Sequence, residues 1–122
     1  MLKTIFFIAI GGAVGSILRF LVSQIVSKFW TGNFPLATFI VNVLGCLMIG
    51  FFVGITTKNN LDNGLKWLLI TGLCGGFTTF STFSMENITL LQNNHFTTAF
   101  VYIISSVIIS ILSVWLGLFL SK

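Results

Sequence analysis

The chain has 122 residues, 56% of them apolar, and sets six lysines and arginines against two acids for a net charge of +4. Soluble domains carry roughly a quarter charged residues, so this composition excludes a water-soluble globular domain and predicts a single all-α integral membrane domain over residues 1–122. The basic residues (Lys3, Arg19, Lys28, Lys58, Lys66, Lys122) stand singly, so none forms a patch that could track phosphates, and nucleic acid is excluded as a partner.

Four apolar segments follow in order, each near the ~20 residues that span a bilayer. The first covers Thr4 to Val26. Its lysine followed by an apolar run mimics a signal peptide, but the run is too long and holds Arg19, so it reads as a retained first helix. Gly11/Gly15 and Gly12/Ser16 are spaced four apart, the spacing of small residues where membrane helices approach closely. The second segment runs from Pro35 to Thr56, with Pro35 suited to a first helical turn. Thr38, Asn42, Cys46, Gly50 and Gly54 recur along it as one polar and small stripe. An amide such as Asn42 needs a partner at membrane depth.

Lys58 to Gly64 is the one plainly polar loop, with Asn63-Gly64 as its turn signal. The third segment covers Leu65 to Leu91 and the fourth Thr97 to Leu120. In the fourth, Tyr102, Ser106 and Ser110 lie four apart and suggest a polar track, although serines in membrane helices also bond back to their own carbonyls. Cys46 and Cys74 both sit in apolar runs, which predicts free thiols packed in the bundle. With the N-terminus inside, Lys3, Lys58, Lys66 and Lys122 fall on the cytoplasmic side and Lys28 outside, so the positive-inside rule favours that orientation.

The stretch Gly72 to Glu86 is foreign to lipid. Gly75-Gly76 predicts a break near the middle of the third helix, near residues 75–79, and Thr78, Thr79, Ser81, Thr82 and Ser84 follow within seven positions. Irregular backbone at that depth is tolerated only inside protein or along a cavity. Carbonyls released by such a break can hold a cation. Phe80 and Phe83 sit three apart, and ring edges are electropositive. Together with Ser81, Thr82 and Asn42 they offer donors without full charges, a set that suits a small anion. Glu86, the only carboxylate near a membrane segment, stands toward the end of its helix. Arg19 either snorkels or faces a wet vestibule, where its charge would concentrate anions.

Three blocks, Gly11-Gly12-Ala13-Val14-Gly15-Ser16-Ile17-Leu18-Arg19-Phe20, Thr38-Phe39-Ile40-Val41-Asn42-Val43-Leu44-Gly45 and Gly72-Leu73-Cys74-Gly75-Gly76-Phe77-Thr78-Thr79-Phe80-Ser81-Thr82-Phe83, together resemble the Fluc (CrcB) family of fluoride channels. Phe20 and Ser16 depart from that pattern, where tyrosine and alanine are frequent. The resemblance implies an antiparallel dimer of four-helix subunits in the plasma membrane, with two fluoride pores. It also implies a structural sodium ion held on the two-fold axis by the backbone carbonyls of Gly75 and Thr78. By position, Phe80 and Phe83 match the aromatic box and Asn42 the pore asparagine. Tyr102, Ser106 and Ser110 match the polar track, Arg19 the electropositive entrance and Glu86 the far end of the pore. The implied activity is passive fluoride export, with no catalysis. The four-to-one lysine bias keeps open a heterodimer with an oppositely oriented homologue. Two alternatives differ in class: a small four-helix exporter, disfavoured because the first segment has no acid, and a non-transporting scaffold subunit, which leaves the cluster after Gly76 unexplained.

Overall fold

A computed structural model describes every residue from Met1 to Lys122. Apolar runs of this length must satisfy their backbone groups internally, and they do so as helices. Helix α1 spans Leu2–Phe29 and α2 spans Leu36–Asn59. The third span, Asn63–Gln92, is built from α3 (Asn63–Lys66), a π-helical segment (Trp67–Cys74), α4 (Gly75–Phe77) and α5 (Phe80–Gln92). Helix α6 spans Phe96–Leu120. The chain is thus an all-α, multi-pass membrane protein with four spans, the third one interrupted.

The spans alternate in direction. Phe7, near the start of α1, abuts Gly64 at the start of the third span, while Gly54 near the end of α2 meets Ser121 just past α6. Both termini and the turn at residues 60–62 therefore share one end of the bundle, and so do Lys3, Lys58, Lys66 and Lys122. The turn is made by Asn60, whose left-handed conformation (φ 49°) caps α2. Asn63-Gly64, which resembles a turn in the sequence, instead opens α3, and no glycine in the chain has positive φ.

The bundle is two tight helix pairs. Helix α1 packs on the π-helical segment and α4, and its Gly11 and Gly15 face the backbone carbonyls of Leu68 and Leu73 with no room for a Cβ. Helix α2 packs on α6 in the same manner, Gly50 against the Val114 carbonyl and Gly117 against that of Leu47. Lipid removes the hydrophobic drive between helices, so such backbone contact is what holds them together. The small and polar stripe of α2 therefore serves two neighbours. Gly50 and Gly54 contact α6 and its end, while Thr38 and Asn42 reach α5 and the residues just before it.

The break falls within the expected stretch 75–79, at its end and not at the glycine pair. Gly75 is helical (φ −63°, ψ −38°), and the chain leaves the helix at Thr78 (ψ 158°) and Thr79 (φ −152°, ψ 117°). Glycine is needed at position 76 for a different reason. A Cβ there would lie 2.6 Å from the Gly12 carbonyl oxygen of α1.

This packing separates neighbouring glycines of α1. Gly15→Ala drives a methyl into the Leu73 carbonyl and lowers stability by about 1–3 kcal/mol. Gly12→Ala meets only Gly72 O at 3.9 Å and is tolerated. The melting temperature of the detergent-solubilised protein tells the two apart; equal shifts would contradict the packing.

Candidate functional site

The interruption at Thr78–Thr79 is produced by competition for backbone partners. In a continuous helix the Thr79 N–H would go to the Gly75 carbonyl. Here it donates to Asn42 Oδ1 at 2.8 Å, and Asn42 Nδ2 donates to the Thr79 carbonyl at 3.1 Å. Asn42 thus occupies both backbone groups of one residue. On the following turn, the Thr82 N–H donates to Thr79 Oγ1 at 3.2 Å, making Thr79 the N-cap of α5. That N–H would otherwise have gone to the Thr78 carbonyl. Gly75 and Thr78 are therefore deprived of their helical donors, although both lie at membrane depth.

A cavity of about 700 Å³ opens beside this break. Asn42, Gly75, Thr78, Phe80, Phe83, Ser106 and Ser110 all border it, and no acidic or basic side chain does. The Phe80 and Phe83 rings lie 5.7 Å apart, tilted by 42°. Phe83 packs on Tyr102 at 4.9 Å, whereas Phe80 stands 78% exposed on the single chain. Ser106 is 7% exposed, and its hydroxyl has no partner. Ser105 and Ser113 bond back to their own helix, at Val101 and Ile109.

Ser81, Thr82 and Glu86 border a different cavity, of about 590 Å³, under the connection between α1 and α2. Sequence spacing groups Ser81 and Thr82 with the phenylalanines, but the helix turns them to the other side of α5. Thr82 is also drawn into capping, its hydroxyl accepting from Thr79 Oγ1 at 3.1 Å. Glu86 lies midway along α5, toward the end of the third span, and joins three elements. Thr38 Oγ1 donates to its Oε2 at 2.9 Å, and the Tyr102 hydroxyl donates to its Oε1 at 2.8 Å. Arg19 borders a third cavity, of about 310 Å³, with Thr38, Thr79 and Thr82. Thr82 is the shared wall between the Arg19 and Glu86 cavities.

Two participants escape a reading by spacing. Thr38 appears in the sequence only as part of a stripe, yet it holds Glu86. Asn87 is buried, gives its Nδ2 to the Phe83 carbonyl at 2.9 Å, and leaves its Oδ1 without a donor. Helix α5 also carries Ser81, Thr82, Ser84, Thr89 and Gln92, so nothing in its spacing sets Asn87 apart. Cys46 and Cys74 are free thiols.

The family described as CrcB-like protein, Camphor Resistance (CrcB), matches residues 6–118. A relative from Flavobacterium psychrophilum, named fluoride-specific ion channel FluC, is 51% identical over 122 residues, covering 99% of this chain and 98% of its own. Relatives of the same name from Azobacteroides pseudotrichonymphae and Phocaeicola vulgatus are 48% and 45% identical, covering 100% and 99% of this chain and 98% and 100% of theirs. The shared name is that of an ion channel, not of an enzyme. With matches of this extent from end to end, the chain belongs to the CrcB family.

Proposed function

We propose that the chain is a fluoride-selective passive channel that lets fluoride leave the cytoplasm across the plasma membrane. The observation that carries this reading is the 700 Å³ cavity, bordered by Asn42, Phe80, Phe83, Ser106 and Ser110 without any ionised group. Its full-length relatives bear the name of fluoride-specific channels. A small anion entering it meets hydroxyl protons and the electropositive edges of two rings. These replace part of its hydration shell without the deep well a lysine or arginine would make, so the ion can also leave. The Arg19 charge at the neighbouring cavity raises the local anion concentration. Hydrogen fluoride enters from acidic medium as a neutral molecule and dissociates inside. A membrane potential negative inside then contributes about 2.3 kcal/mol per 100 mV toward anion exit.

The channel works as an antiparallel dimer. Phe80, 78% exposed on one chain, gains cover from the second copy, and the open cavity beside it gains its missing wall. The second chain is either identical or an oppositely oriented homologue, the latter in keeping with four lysines at one end and Lys28 at the other.

A sodium ion fits the break. The Gly75 and Thr78 carbonyls are hard oxygen donors stripped of their helical partners, and a Cβ built on Gly75 meets nothing within 4 Å. Bound there, sodium supplies a fixed positive charge that ties the two chains together. The chain's own part is carried by Asn42 and Thr79, which keep those carbonyls out of the helix.

Reconstituted in liposomes, the folded protein releases fluoride electrogenically and excludes chloride, as read by a fluoride electrode; a dimeric preparation without flux would sink the proposal. Asn42→Asp keeps an acceptor for the Thr79 N–H but sets a carboxylate against the Thr79 carbonyl and the anion path. Repulsion at partly screened dielectric slows flux by about a hundredfold or more, and an unchanged rate removes Asn42 from the path. Replacing sodium by a bulky organic cation weakens dimer formation in size-exclusion measurements, whereas indifference to the exchange rejects the sodium site.

A further inference from the structure

Tyr102 is the only tyrosine in the chain and is fully buried (0% exposed). Its hydroxyl reaches Glu86, so the tilt of its ring decides where the carboxylate points. Two rings set that tilt. Phe83 lies 4.9 Å away on one side, and Phe34 lies 5.2 Å away at an interplanar angle of 73°, an edge-to-face contact.

Phe34 does not belong to a membrane helix. It sits in the connection between α1 and α2, and that connection is built to hold it. The Trp30 indole N–H donates to the Phe34 carbonyl at 2.8 Å, and the Leu36 N–H donates to the same oxygen at 2.7 Å. Phe39, one turn into α2, packs its ring on Phe34 at 5.5 Å. A loop at the membrane surface therefore drives an aromatic ring inward, continuing a column that runs through Tyr102 and Phe83 to Phe80.

We propose that Phe34 is a positioning residue, wedged by the α1–α2 connection so that Tyr102 stays bonded to Glu86, and that the ordering of this surface loop thereby sets the rate of ion passage. Without the wedge the phenol ring tilts away from Glu86, leaving Thr38 as the carboxylate's remaining hydrogen-bond donor, and Glu86 swings into the vestibule it borders. An anion then meets a mobile negative charge. The effect on rate rests on the fluoride-channel reading; the effect on Tyr102 does not.

Because Tyr102 is alone, incorporated 3-fluorotyrosine reports on that one ring by fluorine NMR, and the test measures it on the full-length reconstituted protein beside fluoride flux. Phe34→Leu keeps apolar bulk but loses the ring edge. It slows flux about tenfold, the scale of one aromatic pair, in a protein that still folds. Beyond the ring-current change that a lost neighbouring ring causes by itself, the resonance no longer responds to Glu86→Gln, which moves it in the wild-type background. Phe34→Trp restores a ring, for which the adjoining 590 Å³ cavity has room, and recovers both signals. Trp30→Phe removes the hydrogen bond to the Phe34 carbonyl, together with part of the indole that lies against Gly32, while keeping the Phe34 ring, and it weakens the response to Glu86→Gln by less, which keeps the test open should Phe34→Leu misfold. A resonance that still responds to Glu86→Gln as in wild type, in Phe34→Leu or in Trp30→Phe if that is the variant that folds, overturns the proposal, as does a leucine variant that behaves like wild type in flux. Wild-type protein that gives the expected tyrosine response but no fluoride flux instead rejects the channel reading and leaves the positioning of Tyr102 standing.

Discussion

The paired hydrogen bonds between the Asn42 amide and the Thr79 backbone are the constraint on which the rest of the site depends. A backbone N–H and C=O outside a helix at membrane depth each cost on the order of 1–3 kcal/mol if left bare. One amide side chain, with a donor and an acceptor on the same carbon, satisfies both. Thr79 can then remain extended, and its hydroxyl is free to cap α5. Once α5 restarts from a fixed cap, the directions of Phe80, Phe83 and Glu86 are set by helical rotation alone. Phe80 and Phe83 turn to one cavity, and Glu86 turns to the other.

That break needs a rigid frame, since Asn42 and Thr79 belong to different spans. The frame comes from glycine-mediated contact within two helix pairs, α1 with the first half of the third span and α2 with α6. Between the pairs, Gly45 lies directly against the Thr78 side chain, one turn beyond Asn42. The same helix face that presents the amide therefore also fixes its distance from the break. Close packing and polar satisfaction here are one device: moving α2 outward to admit a Cβ at position 45 would pull the amide off Thr79.

The number of spans, their helical nature and an interruption in the third were legible because apolar length and polar anomalies survive without any tertiary information. The interruption falls within the expected stretch 75–79, but its cause was not legible, because Gly75-Gly76 signals flexibility while the decisive force is Asn42, more than thirty residues earlier. Likewise Ser81 and Thr82 look like companions of Phe80 and Phe83 by proximity in sequence, but an α-helix turns such neighbours about 100° apart. That Thr38 and Tyr102, from the second and fourth spans, converge on Glu86 leaves no trace in the sequence. Membership in the CrcB family, by contrast, was readable from three short blocks, since they hold the residues that make the break and its packing.

The hydroxyls of α6 show how the fold separates structural polar groups from available ones. Ser105 and Ser113 spend their protons on the carbonyls of their own helix, and so present only lone pairs to their surroundings. Ser106 stands on the same helix, is buried, and makes no hydrogen bond at all. Back-bonding is open to any serine in a helix, so this buried, unbonded hydroxyl of a residue bordering the cavity forgoes stabilisation its neighbours accept. Within the proposed function that cost has a use. A donor already engaged would have to break a bond before it could meet an anion, and the barrier would rise with each such exchange. A donor held idle in a rigid wall, between Phe83 on one side and Ser110 one turn further along, meets the ion with its proton free.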